Sequence, residues 1–175
     1  GGIVRGKNSK IAGDRFNSDI ISYIRNQFKI LIGEKTAENI KIAIGSVTPS
    51  GPPMEAAIRG RDLVTGLPRE VIITDEDLRE ALSSSFDSLV ESVKEVLEST
   101  PPEILSDVMH RGMYLVGGGA LIKGLSELLS EHIKIPVHID EDPLTAVARG
   151  TGIILENMEK HREILIESDD FLSNK

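Results

Sequence analysis

Three consecutive glycines, Gly117-Gly118-Gly119, carry the strongest chemical signal in this sequence of 175 residues. They follow a predicted buried strand at 113–116 and precede a predicted helix at 122–132. A strand that ends in glycines and opens a helix lets a flat ligand lie against bare backbone, because no Cβ intrudes and helix N–H groups point outward. This arrangement suits a nucleotide. Three glycines also make an ordinary strand-to-helix turn, so both interpretations stay open.

The second candidate is a charged pair on a predicted helix at 37–44, with Thr36 as N-cap and Gly45 just past its end. Glu38 and Lys41 lie three residues apart and therefore share one face of this helix. A carboxylate and an ammonium so placed can hydrogen-bond a ribose hydroxyl and flank a base. Such pairs are also common on solvated helix faces, and this alternative remains open.

The sequence indicates no catalytic acid–base pair and no metal site. The acidic run Asp140-Glu141-Asp142 precedes a predicted helix, where capping and the helix dipole explain it better than a cation does. No Ser-His-Asp order, P-loop or strand-linked Gly-x-Gly-x-x-Gly pattern is present. The histidines lack ligand-like pairing and are interpreted as surface or packing residues: His110, His132, His138 and His161.

Composition excludes several classes of function. Lys and Arg number 20 against 28 Asp and Glu, and the net charge of -8 disfavours binding to a nucleic-acid backbone. The absence of cysteine removes disulfides and thiol chemistry and fits a reducing compartment. The longest apolar run is about half of the ~20 residues that span a bilayer. We therefore expect a cytoplasmic protein that does not bind nucleic acid.

The rest of the sequence must position the two candidates, and its apolar spacing predicts helices that alternate with strands. Steps of three and four residues predict a helix at 14–28. Thr74 and Asp77 form a capping-box pattern that starts a long helix at 75–98. Strands are predicted at 3–11 (two pieces joined by a polar turn), 54–58, 70–73, 113–116 and 137–139.

A last helix is predicted at 144–158, with Asp142 as N-cap and Pro143 at the first helical position. The charged segment 159–175 is expected to fray. Small residues on this helix predict that its backbone approaches a sheet closely: Ala146, Ala148, Gly150 and Gly152.

Several segments, taken in order, resemble the MreB family of bacterial actin homologues. The resemblance covers about residues 1–158, and several of its segments are more specific to this family than to actin-fold ATPases at large. The segments that carry it are 11–14, 32–38, 40–41, 44–45, 60–68, 98–103, the glycine run and 142–148.

The resemblance implies an α/β fold, an actin-like ATPase domain of the ribonuclease H-like type, with a mixed sheet flanked by helices. Residues 1–12 and 84–160 would form a base lobe. Residues 13–83 would form a smaller α+β lobe inserted into it, and residues 161–175 a charged tail.

The resemblance also implies a nucleotide site to which both candidates contribute. In the family, the helix of Glu38 and Lys41 faces the adenine and the ribose. The glycine run lies beside the adenosine and the α-phosphate, and the residues that correspond to it here are Gly117, Gly118, Gly119, Ala120 and Leu121.

ATP or ADP is the cofactor that the resemblance implies. The family's two phosphate loops, its Mg²⁺-anchoring aspartate and its water-orienting glutamate would precede Gly1, so Mg²⁺ would bind through that other half. Phosphoryl transfer to water depends on groups placed around the terminal phosphate. We therefore expect the intact protein to hydrolyse ATP during polymerisation, and this chain alone, which supplies no catalytic or metal-binding residue, to be inactive.

The implied role is in filaments that maintain bacterial rod shape and guide cell-wall synthesis. The expected partners are further copies of the protein and the cell-wall elongation machinery. Membrane contact, at the inner face of the cell membrane, would occur only through the other half. The alternatives are a non-hydrolysing binding or assembly module, or another actin-fold ATPase such as a DnaK-like chaperone or an FtsA-like protein. Segments 60–68 and 100–103 argue against these last two.

Overall fold

The computed structural model describes residues 3–49 and 51–162. This part of the chain contains six α-helices and five strands, and a short 3-10 helix, called the glycine turn below, follows the fourth strand. The elements are α1 (Gly13–Phe28), β1 (Ile30–Leu31), α2 (Glu34–Ile44), β2 (Glu55–Asp62), β3 (Pro68–Thr74), α3 (Asp75–Glu98), α4 (Pro102–Arg111), β4 (Met113–Leu115), the glycine turn (Gly118–Leu121), α5 (Leu125–Ile133), β5 (Val137–Ile139) and α6 (Ala146–Glu156).

Strands β1, β2 and β3 form an antiparallel sheet in that order. Ile58 of β2 and Ile73 of β3 point into the core, while their neighbours along each strand are more exposed. Gly60 lets β1 approach β2 closely, because a Cβ at this position would lie 2.5 Å from the carbonyl oxygen of Leu31. The loop between β2 and β3 is fixed by Asp62, whose Oδ1 accepts from the N–H of Thr65 at 2.9 Å.

One hydrophobic core joins this sheet to helices α1 and α3. The ring centroids of Phe16 in α1 and Phe86 in α3 lie 5.2 Å apart with the rings tilted. The helices meet because each has a continuous apolar stripe at three- and four-residue steps. The same core includes residues of α5 and the segment before it. The buried apolar residues of the two long helices are Phe16, Ile20 and Ile24 with Leu78, Leu82, Phe86 and Val90.

Strands β4 and β5 form a separate parallel pair, with Met113 opposite Val137. Parallel strands need a crossover connection, and α5 supplies it by packing against β5. Leu125 and Leu129 of α5 are buried in the common core. The strand-helix alternation predicted for this half of the chain is thus confirmed, although within the described residues the strands form two small sheets instead of one mixed sheet.

Two sequence predictions match the structure closely. The helix predicted at 14–28 is α1, and the helix predicted at 75–98 is α3. The capping box also forms, since Thr74 Oγ1 accepts from the N–H of Asp77 at 3.2 Å and Asp77 Oδ2 accepts from the N–H of Thr74 at 2.8 Å. The strands predicted at 54–58 and 70–73 correspond to β2 and β3. Both are longer than predicted, because polar residues such as Arg59 fit the exposed face of a strand.

The two strand pieces predicted within 3–11 are wrong for the described residues. No strand lies there, and the side chains of residues 3–10 are exposed. An isolated hairpin without an apolar face packed on a core is marginal in water. Alternating residue types alone therefore do not make these residues a sheet.

Helix α4 is absent from the predicted elements, because two prolines, Pro101-Pro102, are typical of the end of a helix. Pro102 instead lies at the start of a new helix, where its missing N–H has no helical partner to lose. None of the residues of α4 is buried. The helix depends on this local start signal more than on core packing.

The predicted last helix differs from the structure at its start and in its packing. Helix α6 begins at Ala146, so Asp142 is not its N-cap; the Asp142 carboxylate instead accepts from the hydroxyl of Thr145. Added Cβ atoms at Gly150 and Gly152 would meet nothing within 4 Å, so these glycines do not mark contact with a sheet. The prediction that residues 159–175 fray falls largely outside the described residues. No helix in the described part of the chain has the length and apolar character needed to cross a membrane.

Replacing the capping threonine tests how much the box stabilises α3. Thr74→Ala removes the side-chain acceptor of the Asp77 N–H and should lower the free energy of unfolding by about 1 kcal/mol. Ser88→Ala, on the exposed face of the same helix, is the control and should change it little. Urea denaturation followed by circular dichroism measures both, and equal losses in the two variants would contradict the role of the box.

Asp75 makes folding stability depend on pH. A hydrogen bond from Arg79, at 2.6 Å, is the main cause that lowers the pKa of the Asp75 carboxyl group in the folded chain. A carboxylate with a lowered folded-state pKa stabilises the fold above its unfolded pKa of about 3.9 and loses that contribution as the pH falls through the folded value. Asp75→Asn should therefore be less stable than the parent at pH 7, with the difference shrinking below about pH 4. Urea denaturation at several pH values measures this difference, with the exposed Asp87→Asn in the same helix as the matched control.

Candidate functional site

The two chemical candidates of the sequence lie on one cleft of about 610 Å³. Helix α2 provides one wall and the glycine turn another, with the first turn of α1 at the rim. The cleft is lined by Gly13, Asp14, Glu38, Lys41, Ile42, Gly118, Gly119, Leu121, Ile122 and Leu144.

Lys41 is buried, and its ammonium group has three acceptors within the protein. Nζ donates to Glu38 Oε2 at 2.6 Å, to Asn17 Oδ1 at 3.0 Å and to the carbonyl oxygen of Gly13 at 3.4 Å. An ammonium has three N–H donors. The donors of Lys41 are therefore all engaged within the protein, and the residue holds α2 against α1.

Glu38 is the charged group of this pair that stays accessible from the cleft, with 42% of its side chain exposed. The hydrogen bond from Lys41 and then that from Asn17 lower the pKa of its carboxyl group, while partial burial opposes them. Glu38 is thus an ionised acceptor at neutral pH, able to take hydrogen bonds from the hydroxyl groups of a ligand.

The glycine turn presents backbone without side chains to the cleft. Gly118 and Gly119 line it; an added Cβ at Gly119 would meet nothing within 4 Å, and one at Gly118 would lie 3.5 Å from Leu144. The helix predicted at 122–132 exists, but its predicted start is wrong. Helix α5 begins only at Leu125, because Gly124 before it has a left-handed backbone with φ of 82°.

Apolar side chains form the rest of the lining. Ile42 is 71% exposed, Leu121 54% and Leu144 67%, values that are high for residues of this type. Side chains of α2, the glycine turn and the loop before α6 thus contribute apolar surface to one cleft. Binding sites for small molecules are commonly apolar with a few placed polar groups. A flat apolar ring system with a hydroxyl-bearing group fits this combination.

Five of the seven predicted site residues line the cleft, and two do not. Ala120 lies within the glycine turn but its side chain is buried, and Gly117, just before the turn, donates its N–H to the carbonyl oxygen of Pro143 at 2.7 Å. Both residues therefore lie outside the lining of the cleft. The five that line the cleft are Glu38, Lys41, Gly118, Gly119 and Leu121.

Sequence reasoning missed Asn17, which is buried beside the cleft and binds Lys41. A signal was present, since Asn17 lies three residues before Ile20 and occupies the core-facing stripe of α1. A polar residue in an apolar stripe needs a partner. The rim residues Gly13 and Asp14 were also missed, although they directly precede this helical stripe.

A short backbone pairing joins the two walls. Ser46 bridges to Lys123 in parallel, and the N–H of Val47 donates to the carbonyl oxygen of Lys123 at 2.8 Å. Ser46 directly follows α2 through Gly45, and Lys123 follows the glycine turn. The Ser46 hydroxyl is fully buried and accepts from Arg79 at 2.9 Å. The position of one wall therefore depends on that of the other.

The acidic run before α6 is engaged by its own surroundings. Asp140 Oδ1 accepts from Arg149 at 2.7 Å and from the N–H of Asp142 at 2.9 Å. Across residues 3–49 and 51–162, no group of three His, Cys, Asp or Glu side chains is arranged to hold a metal ion.

The MreB/Mbl protein family model matches residues 1–163. The cell shape-determining protein Mbl of Bacillus subtilis (strain 168) is 47% identical over 160 residues, which are 91% of this chain and 48% of that protein. The cell shape-determining protein MreB of Escherichia coli (strain K12) is 46% identical over 160 residues, 91% of this chain and 46% of that protein. The chain thus spans about half the length of the curated relatives it matches.

Solved structures give the same result for the fold. MreB5 of Spiroplasma citri bound to ADP superposes with a TM-score of 0.88 at 39% identity, over 93% of this chain and 50% of that one. Its complex with AMPPNP gives 0.87, over 93% and 49%. The MamK double helical filament, 22% identical with a TM-score of 0.69 over 83% of this chain and 45% of that one, supports the fold alone. The predicted actin-like α/β class is confirmed.

Gly124→Ala tests the junction between the walls. A Cβ at Gly124 would lie 2.3 Å from Thr48 Oγ1, and the left-handed backbone disfavours alanine in addition. We expect the free energy of unfolding to fall by about 2 kcal/mol or more, since a strained left-handed residue alone costs roughly 1–3 kcal/mol. The helical Gly150→Ala, with open space around it, should leave stability unchanged or raise it by roughly 0.5–1 kcal/mol. Urea unfolding of both compares the positions; a harmless Gly124→Ala would show that the junction tolerates a side chain.

Proposed function

The chain belongs to the MreB/Mbl family, and from this membership we propose that it supplies the adenosine-facing half of a nucleotide site in an actin-like, ATP-dependent filament protein. The observation that carries this proposal is the convergence of α2 and the glycine turn on one cleft. Each motif alone has an ordinary structural explanation. Their meeting across a lining that also exposes apolar side chains does not follow from either explanation.

The cleft chemistry suits an adenosine. The base would lie among Ile42, Leu121 and Leu144, whose exposed surface it would remove from water. Glu38 would accept hydrogen bonds from the ribose hydroxyls, and the bare backbone of the glycine turn would lie beside the α-phosphate. The Spiroplasma citri relative, 39% identical, has been solved with ADP and with AMPPNP, which supports a nucleotide as the ligand.

Terminal-phosphate chemistry belongs, on this proposal, to the half of the relatives' length that this chain does not span. Residues there would hold Mg²⁺ and orient the attacking water, and the intact protein would hydrolyse ATP in step with assembly. The present chain would fix the adenosine end. A ligand held at one end needs less reorganisation at the other, and this positioning is a large part of phosphoryl-transfer catalysis.

On the same basis we propose a cellular role for the protein and a division of this chain into two lobes. The protein would assemble with further copies of itself into filaments that maintain rod shape and guide the cell-wall elongation machinery at the inner face of the cell membrane, with membrane contact made outside this chain. The relatives' names as cell shape-determining proteins support this role. Residues 1–12 with 84–160, and residues 13–83, would act as base and inserted lobes, although α3 runs unbroken across the boundary at 83.

Titration calorimetry with ATP and with ADP tests the placement of the ligand. Glu38→Ala removes the accessible carboxylate and should weaken both ligands about tenfold or more, since a hydrogen bond to a charged group is worth roughly 1.5–3 kcal/mol. Gly118→Val adds a branched side chain to the bare wall and should weaken both ligands at least as strongly.

Two matched variants control for general effects of these changes. Glu34→Ala removes a carboxylate from the first turn of the same helix, and Gly152→Val adds the same side chain where the structure leaves open space. Both should bind as the parent does. Unchanged affinity in Glu38→Ala and Gly118→Val would refute this cleft as the adenosine site.

A further inference from the structure

Asn17 is one of the few buried polar residues in the described part of the chain, and the proposed function gives it no role. It lies inside α1, on the face that buries Phe16 and Ile20 in the core. Burying an amide without partners costs free energy. Its presence in the core-facing stripe therefore calls for a specific use.

The side-chain amide of Asn17 binds the buried member of the charged pair on α2. Its Oδ1 accepts from Lys41 Nζ at 3.0 Å, and the same ammonium donates to Glu38 Oε2 at 2.6 Å. An amide oxygen accepts from an ammonium without carrying a charge, whereas a carboxylate accepts with a negative charge and a hydrocarbon does not accept at all. Asn17 thus fixes the ammonium that holds Glu38 and adds no charge.

The charge balance of this group matters because the cleft already has two carboxylates. Glu38 and Asp14 both line it, and Lys41 is the cation within it. An aspartate at position 17 would have nearly the same shape but would place a third negative charge beside Lys41.

We infer that Asn17 is a positioning residue for the nucleotide: through Lys41, it holds the Glu38 carboxylate in the place where it accepts from the ribose hydroxyls. This inference rests on the proposed function, because it needs Glu38 to meet the ribose. It also assigns different tasks to the charged pair. Glu38 contacts the ligand, whereas Lys41, with its three donors engaged, acts through Glu38.

The experiment compares ATP with 2′,3′-dideoxy-ATP, which lacks both ribose hydroxyls, by calorimetry on the purified protein. The parent should bind ATP about tenfold more tightly than the dideoxy form, because only ATP offers hydroxyls to a charged acceptor. Asn17→Leu removes the connection, so Glu38 loses its fixed position. This variant should reduce the affinity ratio to about twofold or less, mainly by weakening ATP.

Asn17→Asp is the second variant and keeps the shape of the side chain. It retains an acceptor for Lys41 but adds a carboxylate that competes with Glu38 for the same ammonium, so the ratio should fall here too, while ATP also binds more weakly because of the added charge. Asn39→Leu and Asn39→Asp make the same changes at an exposed neighbour of Glu38 outside the cleft lining. Both controls should keep the parent's ratio. Thermal unfolding followed by circular dichroism verifies that each variant is folded, and if Asn17→Leu does not fold, Asn17→Asp decides.

The outcomes separate the two proposals. If the parent binds both nucleotides equally, Glu38 does not bind the ribose hydroxyls, and this inference is refuted. A parent that prefers ATP, together with folded Asn17 variants that keep the full preference, would overturn the role of Asn17 and leave the proposed function standing. A preference lost in the Asn17 variants and kept in the Asn39 variants supports the positioning role.

Discussion

The parallel pairing of Ser46 with Lys123 is the contact on which the geometry of the cleft depends. It fixes the segment that leaves α2 against the segment that leaves the glycine turn, so the two walls cannot move independently. Gly124 allows the approach, because a side chain there would collide with Thr48. Without this contact, the two motifs would be separate surface features of separate elements.

A buried polar network reinforces the same junction. Arg79 of α3 donates to the Ser46 hydroxyl and to Asp75, and Asp75 in turn accepts from the N–H of Met54 at 3.3 Å. In the described part of the chain, no buried side-chain nitrogen or oxygen lacks a partner. Buried polar groups are costly when unpaired and directional when paired. The network therefore specifies where α2 ends relative to α3, which apolar packing alone would define less sharply.

At the cleft, the contacts that stabilise the fold also hold the carboxylate that is proposed to meet the nucleotide. Lys41 joins α2 to α1 through Gly13 and Asn17, and the same ammonium holds Glu38. The apolar residues of the lining remain exposed, which is unfavourable in water and becomes favourable once a ligand covers them. The core beneath is closed and the cleft is open, so on the proposed function a flat molecule would enter the cleft without rearrangement of the interior. Family membership makes a nucleotide the natural candidate for that molecule.

The sequence by itself determined the elements whose signals are local. The apolar stripes of α1 and α3, the capping box at Thr74 and the hairpin of β2 and β3 follow from spacing and side-chain chemistry over a few residues. The glycine run and the Glu38–Lys41 pair were visible for the same reason. The strand pieces within 3–11 were predicted wrongly and α4 was missed, because one lacks a packed face and the other begins at a proline that also serves as a stop signal.

Only the tertiary structure decided how those local features become a site. The hydrogen bond of Lys41 to Asn17 and the pairing of Ser46 with Lys123 join residues that are far apart in sequence. The packing also decided that Gly117 and Ala120 lie outside the lining of the cleft. Local propensity contains no information about such contacts, since they form when separate apolar stripes bury against one core and bring their polar neighbours together. The residue types that line the cleft could therefore be predicted from the sequence, whereas their arrangement depends on tertiary packing.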